Sequence, residues 1–193
     1  MRWIALVTAL TAIGATPAAA QFGNPGGLDP GTRESAPGVP VPGQTNVQDR
    51  LFTILASQGG MAEVELAKLA QQKARSDGVG AFARQMIEDH GKANARLAEL
   101  AKQAGLIVPN EPAPDQQEVK QKLSALEQGP FETEYMRVQV IEHQKTVQLL
   151  LWVIASGENA DLQHFASDTL PGVLHHLQLA QSLVSHLTGA APP

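Results

Sequence analysis

Residues 47 to 104 contain no proline, and apolar side chains recur there at helical intervals. Leu51, Leu55, Ala62, Leu66 and Leu69 form a first stripe, which Arg75-Ser76-Asp77-Gly78 interrupts. A second stripe runs through Val79, Phe82, Met86, His90, Ala93, Leu97, Leu100 and Ala104. Its steps are all three or four, which an amphipathic helix requires and a strand cannot give. Ser76 or Asp77 suits the cap of this helix, and Gly105 suits its stop. Pro109, Pro112 and Pro114 then mark a connection, residues 115–128 read as a short polar helix, and Gly129-Pro130 resets the chain. A third stripe carries Met136, Val140, His143, Val147, Leu150 and Ile154 and stops at Gly157. The fourth carries Leu162, Phe165, Thr169, Val173, His176, Ala180, Leu183 and Leu187. Pro171 lies inside it, so that helix either kinks or begins anew after Asp168 or Thr169.

The pattern therefore predicts an all-α protein with main helices at 47–75, 77–104, 131–156 and 159–188. Helices joined by tight turns pack antiparallel, and two such hairpins bury their stripes as a four-helix bundle. A short extra helix sits in the connection between the second and third. The run Leu149-Leu150-Leu151-Trp152-Val153-Ile154 goes all the way round its helix, so one bundle face cannot cover it. Its cover is either the 115–128 helix or a second copy of the chain, a homodimer through residues 149–154. Phe82, Glu88-Asp89-His90 and Lys92 echo Tyr135, Ile141-Glu142-His143 and Lys145 at a constant offset, which suggests a duplication.

The N-terminal region differs in kind. Arg2 precedes an apolar run from residue 3 to 13, Gly14 and Pro17 break it, and Ala18-Ala19-Ala20 supplies small residues before Gln21. That is the form of a signal peptide over residues 1–20, cut near Ala20-Gln21, and the expected location is periplasmic or secreted. The apolar run is shorter than the ~20 residues that span a bilayer, and no later segment is long and apolar enough either. Of residues 21–46, 11 are Gly or Pro, too many for a packed segment, so a disordered tether is expected. The bundle domain is 47–188, followed by a tail at 189–193.

Charge and composition narrow the chemistry. The chain carries a net charge of −5 and has no basic cluster, which argues against a nucleic-acid partner. It has no cysteine, so thiolate metal sites, disulfides and thiol nucleophiles are excluded. There is no G-x-S-x-G, phosphate loop or H-E-x-x-H, and nothing points to a hydrolase.

What remains is histidine. His90, His143 and His176 occupy three apolar stripes, each near the middle of its helix. At about 1.5 Å rise per residue, His90 and His143 lie at similar depth, and the first helix brings Glu63, with Glu65 one turn away, to the same height. Imidazole and carboxylate suit a divalent transition metal, and bundle centres are where such sites are built. Asp89 and Glu142 adjoin histidines but point about 100° away, so they suit roles behind the ligands or as alternates. A di-iron carboxylate centre needs Glu-x-x-His on two helices, and the sequence has none. Copper or zinc is therefore favoured over di-iron. Met86 and Met61 lie near this level and are read as core. The competing reading is a non-catalytic structural or interaction bundle whose histidines hold a polar core network. Unperturbed imidazole titrates near 6.5, so metal affinity is expected to fall as pH drops through that region.

The stretch from Gly59-Gly60-Met61-Ala62-Glu63 to Leu69-Ala70 resembles the opening motif of a family of exported bacterial domains, domain of unknown function 4142. Phe82-Ala83, Met86-Ile87, Asp89-His90, Leu170-Pro171 and His176-Leu177 resemble its later motifs. The resemblance spans residues 47 to 188. It implies a ferritin-like bundle, export, and Glu63, His90, His143 and His176 as a shared polar centre. Glu142-His143 departs from the family's usual pattern in the third helix. The resemblance implies no established activity. Storage, buffering or stress protection by bound metal is the expected role, and a metal-dependent oxidoreductase is the weaker one.

Overall fold

A computed structural model of the protein describes residues 43–189. The expected signal peptide, the tether up to residue 42 and the tail beyond 189 lie outside the described residues. Five helices follow one another: α1 (Val47–Lys73), α2 (Asp77–Gln103), α3 (Pro114–Ser124), α4 (Gln128–Ser156) and α5 (Ala160–Thr188). Among the described residues there is no strand, and no helix is long and apolar enough to cross a membrane.

Side-chain contacts fix the topology. Asn46 Nδ2 donates to the Ser156 carbonyl at one end of α1, and at the other Lys73 sits over the Phe131 ring, so α1 and α4 are antiparallel. Arg96 pairs with Asp168 at 2.8 Å while Gly78 lies against Leu183, so α2 and α5 are antiparallel too. With the two hairpins, every neighbouring pair runs in opposite directions, and α2 and α4 lie diagonally as parallel helices. The connection from α2 to α4 must then travel the length of the bundle, the single long crossover of ferritin-like folds. Helix α3 climbs this connection along the α1–α4 edge, where Lys120 meets Glu65 and Lys73 donates to the Ser124 and Leu126 carbonyls.

The helix ends follow from local chemistry. Ser76 caps α2, and Asn159 caps α5. Helix α4 starts at Gln128, earlier than the expected 131, with Gly129-Pro130 inside its first turn. Proline is tolerated there because first-turn amides have no helical acceptor. Helix α3 ends correspondingly early, at Ser124 rather than 128. Pro171 does not restart a helix, since α5 is continuous through it. The carbonyl that loses its partner belongs to Ser167, which is exposed to water.

Several sequence expectations are corrected. Leu51 and Leu55 do not face the core and are 45% and 49% exposed. In the first turns of α1 the buried face is Asp49, Phe52 and Thr53 instead. The reason is a capping box: Asn46 and Asp49 exchange backbone-to-side-chain hydrogen bonds, and Asp49 Oδ2 also accepts from the Glu158 and Asn159 amides of the α4–α5 turn. Asp49 must face inward to do this, which rotates Leu51 and Leu55 outward. The last residues of the expected tether are also held, because Asn46 is buried and Gln44 donates to Glu158. In the 149–154 run, Leu150 and Val153 enter the core, while Leu149 and Trp152 line an open depression together with the first residues of α3. Leu151 is left 49% exposed in the single chain. The echo between α2 and α4 joins diagonal helices, which are not equivalent members of two hairpins. It therefore does not report a duplicated hairpin.

Gly157 is where the Asp49 clamp needs the absence of a side chain. A Cβ there would lie 2.6 Å from Asp49 Oδ1 and 2.7 Å from the Val153 carbonyl oxygen. Gly91, by contrast, is exposed and faces open space in mid-helix. Gly157→Ala is expected to cost about 1–3 kcal/mol by overpacking, whereas Gly91→Ala should stabilise by roughly 0.5–1 kcal/mol. Urea unfolding of the two variants checks this pair of opposite signs.

The core is divided. One apolar cluster holds Phe82, Met86, Leu123, Phe131, Tyr135 and Met136. The other holds Phe52, Leu97, Leu150, Leu162, Phe165 and Val173. Between them, at mid-height, lies a layer of buried polar side chains.

Candidate metal centre

That layer contains His90 from α2, His143 from α4 and His176 from α5, all buried. Each takes an inward position on its helical stripe, one turn from apolar neighbours such as Met86, Val147 and Ala180. The ring centroids form a nearly equilateral triangle, with separations of 5.5, 5.7 and 5.5 Å. One ring nitrogen of each lies within 4.8 Å of the other two, and the three residues can hold a metal ion.

Hydrogen bonds fix how two of the rings are protonated. His143 Nδ1 lies 2.9 Å from the Gln139 carbonyl, which can only accept, so Nδ1 carries the hydrogen and Nε2 is a bare lone pair. His176 Nε2 lies 3.0 Å from Asp89 Oδ2, so in the neutral ring Nε2 donates and Nδ1 is bare. These bare nitrogens, with His90 Nε2, are buried and have no hydrogen-bond partner. The outer partners hold ring orientation and tautomer as metal-bound histidines require.

Burial keeps the rings neutral. It pushes His90 down to about 3, helped by the neighbouring His143 and His176. It pushes His143 down to about 4, against the Gln139 carbonyl bond. It lowers His176 also, against the pull of Asp89. Neutral imidazole is the ligating form, so the protein holds three ligands ready without proton loss.

The acidic residues singled out in the sequence take separate places. Glu63 is buried beside the histidines, but its Oε1 lies 3.8 Å from His143 Nδ1, the nitrogen turned away from the bare face. Its Oε2 accepts from Gln139 Nε2 at 2.7 Å. Burial raises Glu63 to about 8, the Gln139 bond opposing and Glu142 adding to the rise. Asp89 stands behind His176. Glu142 faces the underside of α3 and pairs with Lys145 at 2.7 Å. Glu65 pairs with Lys120, away from the centre. Met86 is in the apolar core. His175, His164 and His186 are exposed.

Gln139 is absent from the residues the sequence singles out, and Tyr135 enters there only through the echo, not as part of the site. Gln139 links Glu63 to the backbone that orients His143, and Tyr135 is fully buried against Phe82 and Phe131. The available signal was spacing: both lie on the His143 face of α4, one and two turns before it.

A family described as domain of unknown function (DUF4142) matches residues 34–183. No curated protein matches the chain. Among solved structures, a crystal structure of a DUF305 fragment from Deinococcus radiodurans is similar at a TM-score of 0.67 and 13% identity, over 76% of this chain and 99% of that one. At that identity the likeness concerns the fold alone.

Proposed function

Since the chain belongs to the DUF4142 family, a name that carries no chemistry, we propose from its own residues that it is a metal-binding bundle whose His90, His143 and His176 together take one copper or zinc ion. The observation that carries this reading is a triangle of three buried histidines, each with one ring nitrogen within 4.8 Å of the others and each with a buried nitrogen that has no partner. A buried polar atom without a partner costs about 1–3 kcal/mol, and a single metal ion satisfies all three at once. A network serving structure alone would pair these nitrogens with one another or with neighbouring donors. Zn–N bonds of about 2.0–2.1 Å require the rings to draw slightly together, with the fourth position open to solvent or another ligand. Imidazole without thiolate or paired carboxylates suits copper and zinc and not a di-iron pair.

Storage or buffering of the ion fits a site with preformed ligands. The N-terminal sequence supports work in the periplasm, after removal of residues 1–20. The experiment is a thermal melt of the full mature chain with Cu²⁺, Zn²⁺ or a chelator, in wild type and in His90→Ala.

A further inference from the structure

Between α1, α3 and α4 lies a cavity of about 20 Å³. Its polar lining comes from Glu63 on α1, Gln116 on α3, and Glu142 and Thr146 on α4. Glu63 is only 4% exposed, and its Oε1 has no hydrogen-bond partner. Thr146 Oγ1 donates to the Glu142 carbonyl, so its lone pairs stay free. A space of this size holds about one water-sized sphere, enough for a single ion stripped of most of its hydration. The cavity shares Gly59, Gln116, Glu142 and Thr146 with an open depression of about 540 Å³, so ions reach it from solvent.

We infer that this cavity is a second cation site, formed by the Glu63 and Glu142 carboxylates with Thr146 Oγ1, for a divalent ion that prefers oxygen ligands, of the Mn²⁺ or Ca²⁺ class. The donor set is hard where the histidine triangle is borderline, and hardness sorts ions between the two. A buried carboxylate needs a countercharge or a proton. The cation takes the place of the proton, and no lysine or arginine reaches Glu63 to do so, since Lys145 stops at Glu142 on the outer side and Lys120 at Glu65. The site adjoins the histidine triangle, since Glu63 Oε1 lies 3.8 Å from His143 Nδ1, but it does not require the triangle to hold metal.

The test is a Mn²⁺ titration of the mature chain, following free Mn²⁺ by electron paramagnetic resonance. Wild type and His90→Ala should each bind one Mn²⁺ per chain. Glu142→Gln, at a side chain 24% exposed, should weaken binding at least tenfold, and Glu63→Gln should abolish it. Both Gln variants should still take Cu²⁺ or Zn²⁺ at the histidines. Absence of Mn²⁺ binding in wild type overturns the second site. So does Mn²⁺ binding that disappears in His90→Ala and survives Glu142→Gln, which would place the ion at the histidines.

Discussion

Saturating Cu²⁺ or Zn²⁺ raises the melting temperature of the mature chain by roughly 8–16 °C, and His90→Ala removes that rise. A ligand present at about 1,000 times its dissociation constant adds about 4.1 kcal/mol to the folded state when the unfolded chain does not bind it. For a domain of this length each kcal/mol moves the midpoint by about 2–4 °C. The three imidazoles come from three helices, so the ion fastens α2, α4 and α5 together and cannot be held by any single one. His90→Ala deletes one ligand and strands no partner, because His90 Nε2 bonds to nothing in the protein. The metal-free melt should therefore change far less than the metal-bound one. A variant equally destabilised with chelator and with metal would speak for a structural histidine.

Without metal, stability should peak between about pH 6 and 7 and decline on both sides. The histidines control the acid side. In the folded chain His90 titrates near 3 and His143 near 4, while in the unfolded chain both titrate near 6.5. Between these limits the unfolded state binds more protons, so stability falls as pH drops below 6.5. His176, also lowered, adds to the fall. Glu63 works in the opposite sense. Its folded value near 8 exceeds its unfolded value of about 4.5, so the folded state binds more protons between them and stability falls as pH rises. Asp49, raised by burial, opposes the histidines in the same way at the acid end. Two histidines outweigh one glutamate below 6.5, leaving a net slope on the order of 1 kcal/mol per pH unit. Above 6.5 Glu63 acts alone, and Glu63→Gln should flatten that limb. Chelator-treated melts from pH 4.5 to 8.5 measure both limbs, and a profile flat over this range would contradict the assigned burial.

The same shifts move the expected pH dependence of binding. Unperturbed imidazoles would lose metal near 6.5. Buried ones that resist protons until about 4 should keep it to near pH 5.

The stripes were legible because steps of three and four in α2, α4 and α5 each bury one continuous face, and three histidines sit on those faces. Their convergence could be read from depth alone, since tight antiparallel turns convert residue counts into height. The first half of α1 was not legible. Leu51 and Leu55 have the right spacing for a core, but Asp49 is claimed by amides more than 100 residues away, and a one-dimensional pattern carries no trace of that contact. Glu63 was found at the correct height, yet height does not say which side of His143 it takes. That side depends on Gln139, whose amide draws the carboxylate away from the bare nitrogens. The extent of α3 cover over Trp152 likewise depends on where the crossover enters, which no periodicity records.

The most direct measurement is X-ray absorption at the copper or zinc edge of the metal-loaded mature chain, in wild type and in His90→Ala. Three imidazole nitrogens at about 2.0–2.1 Å in the wild type, with the outer-ring scattering typical of histidine and one ligand fewer in the variant, are the expected result. A shell without imidazole, or one that is the same in both proteins, would show that His90, His143 and His176 do not hold the ion.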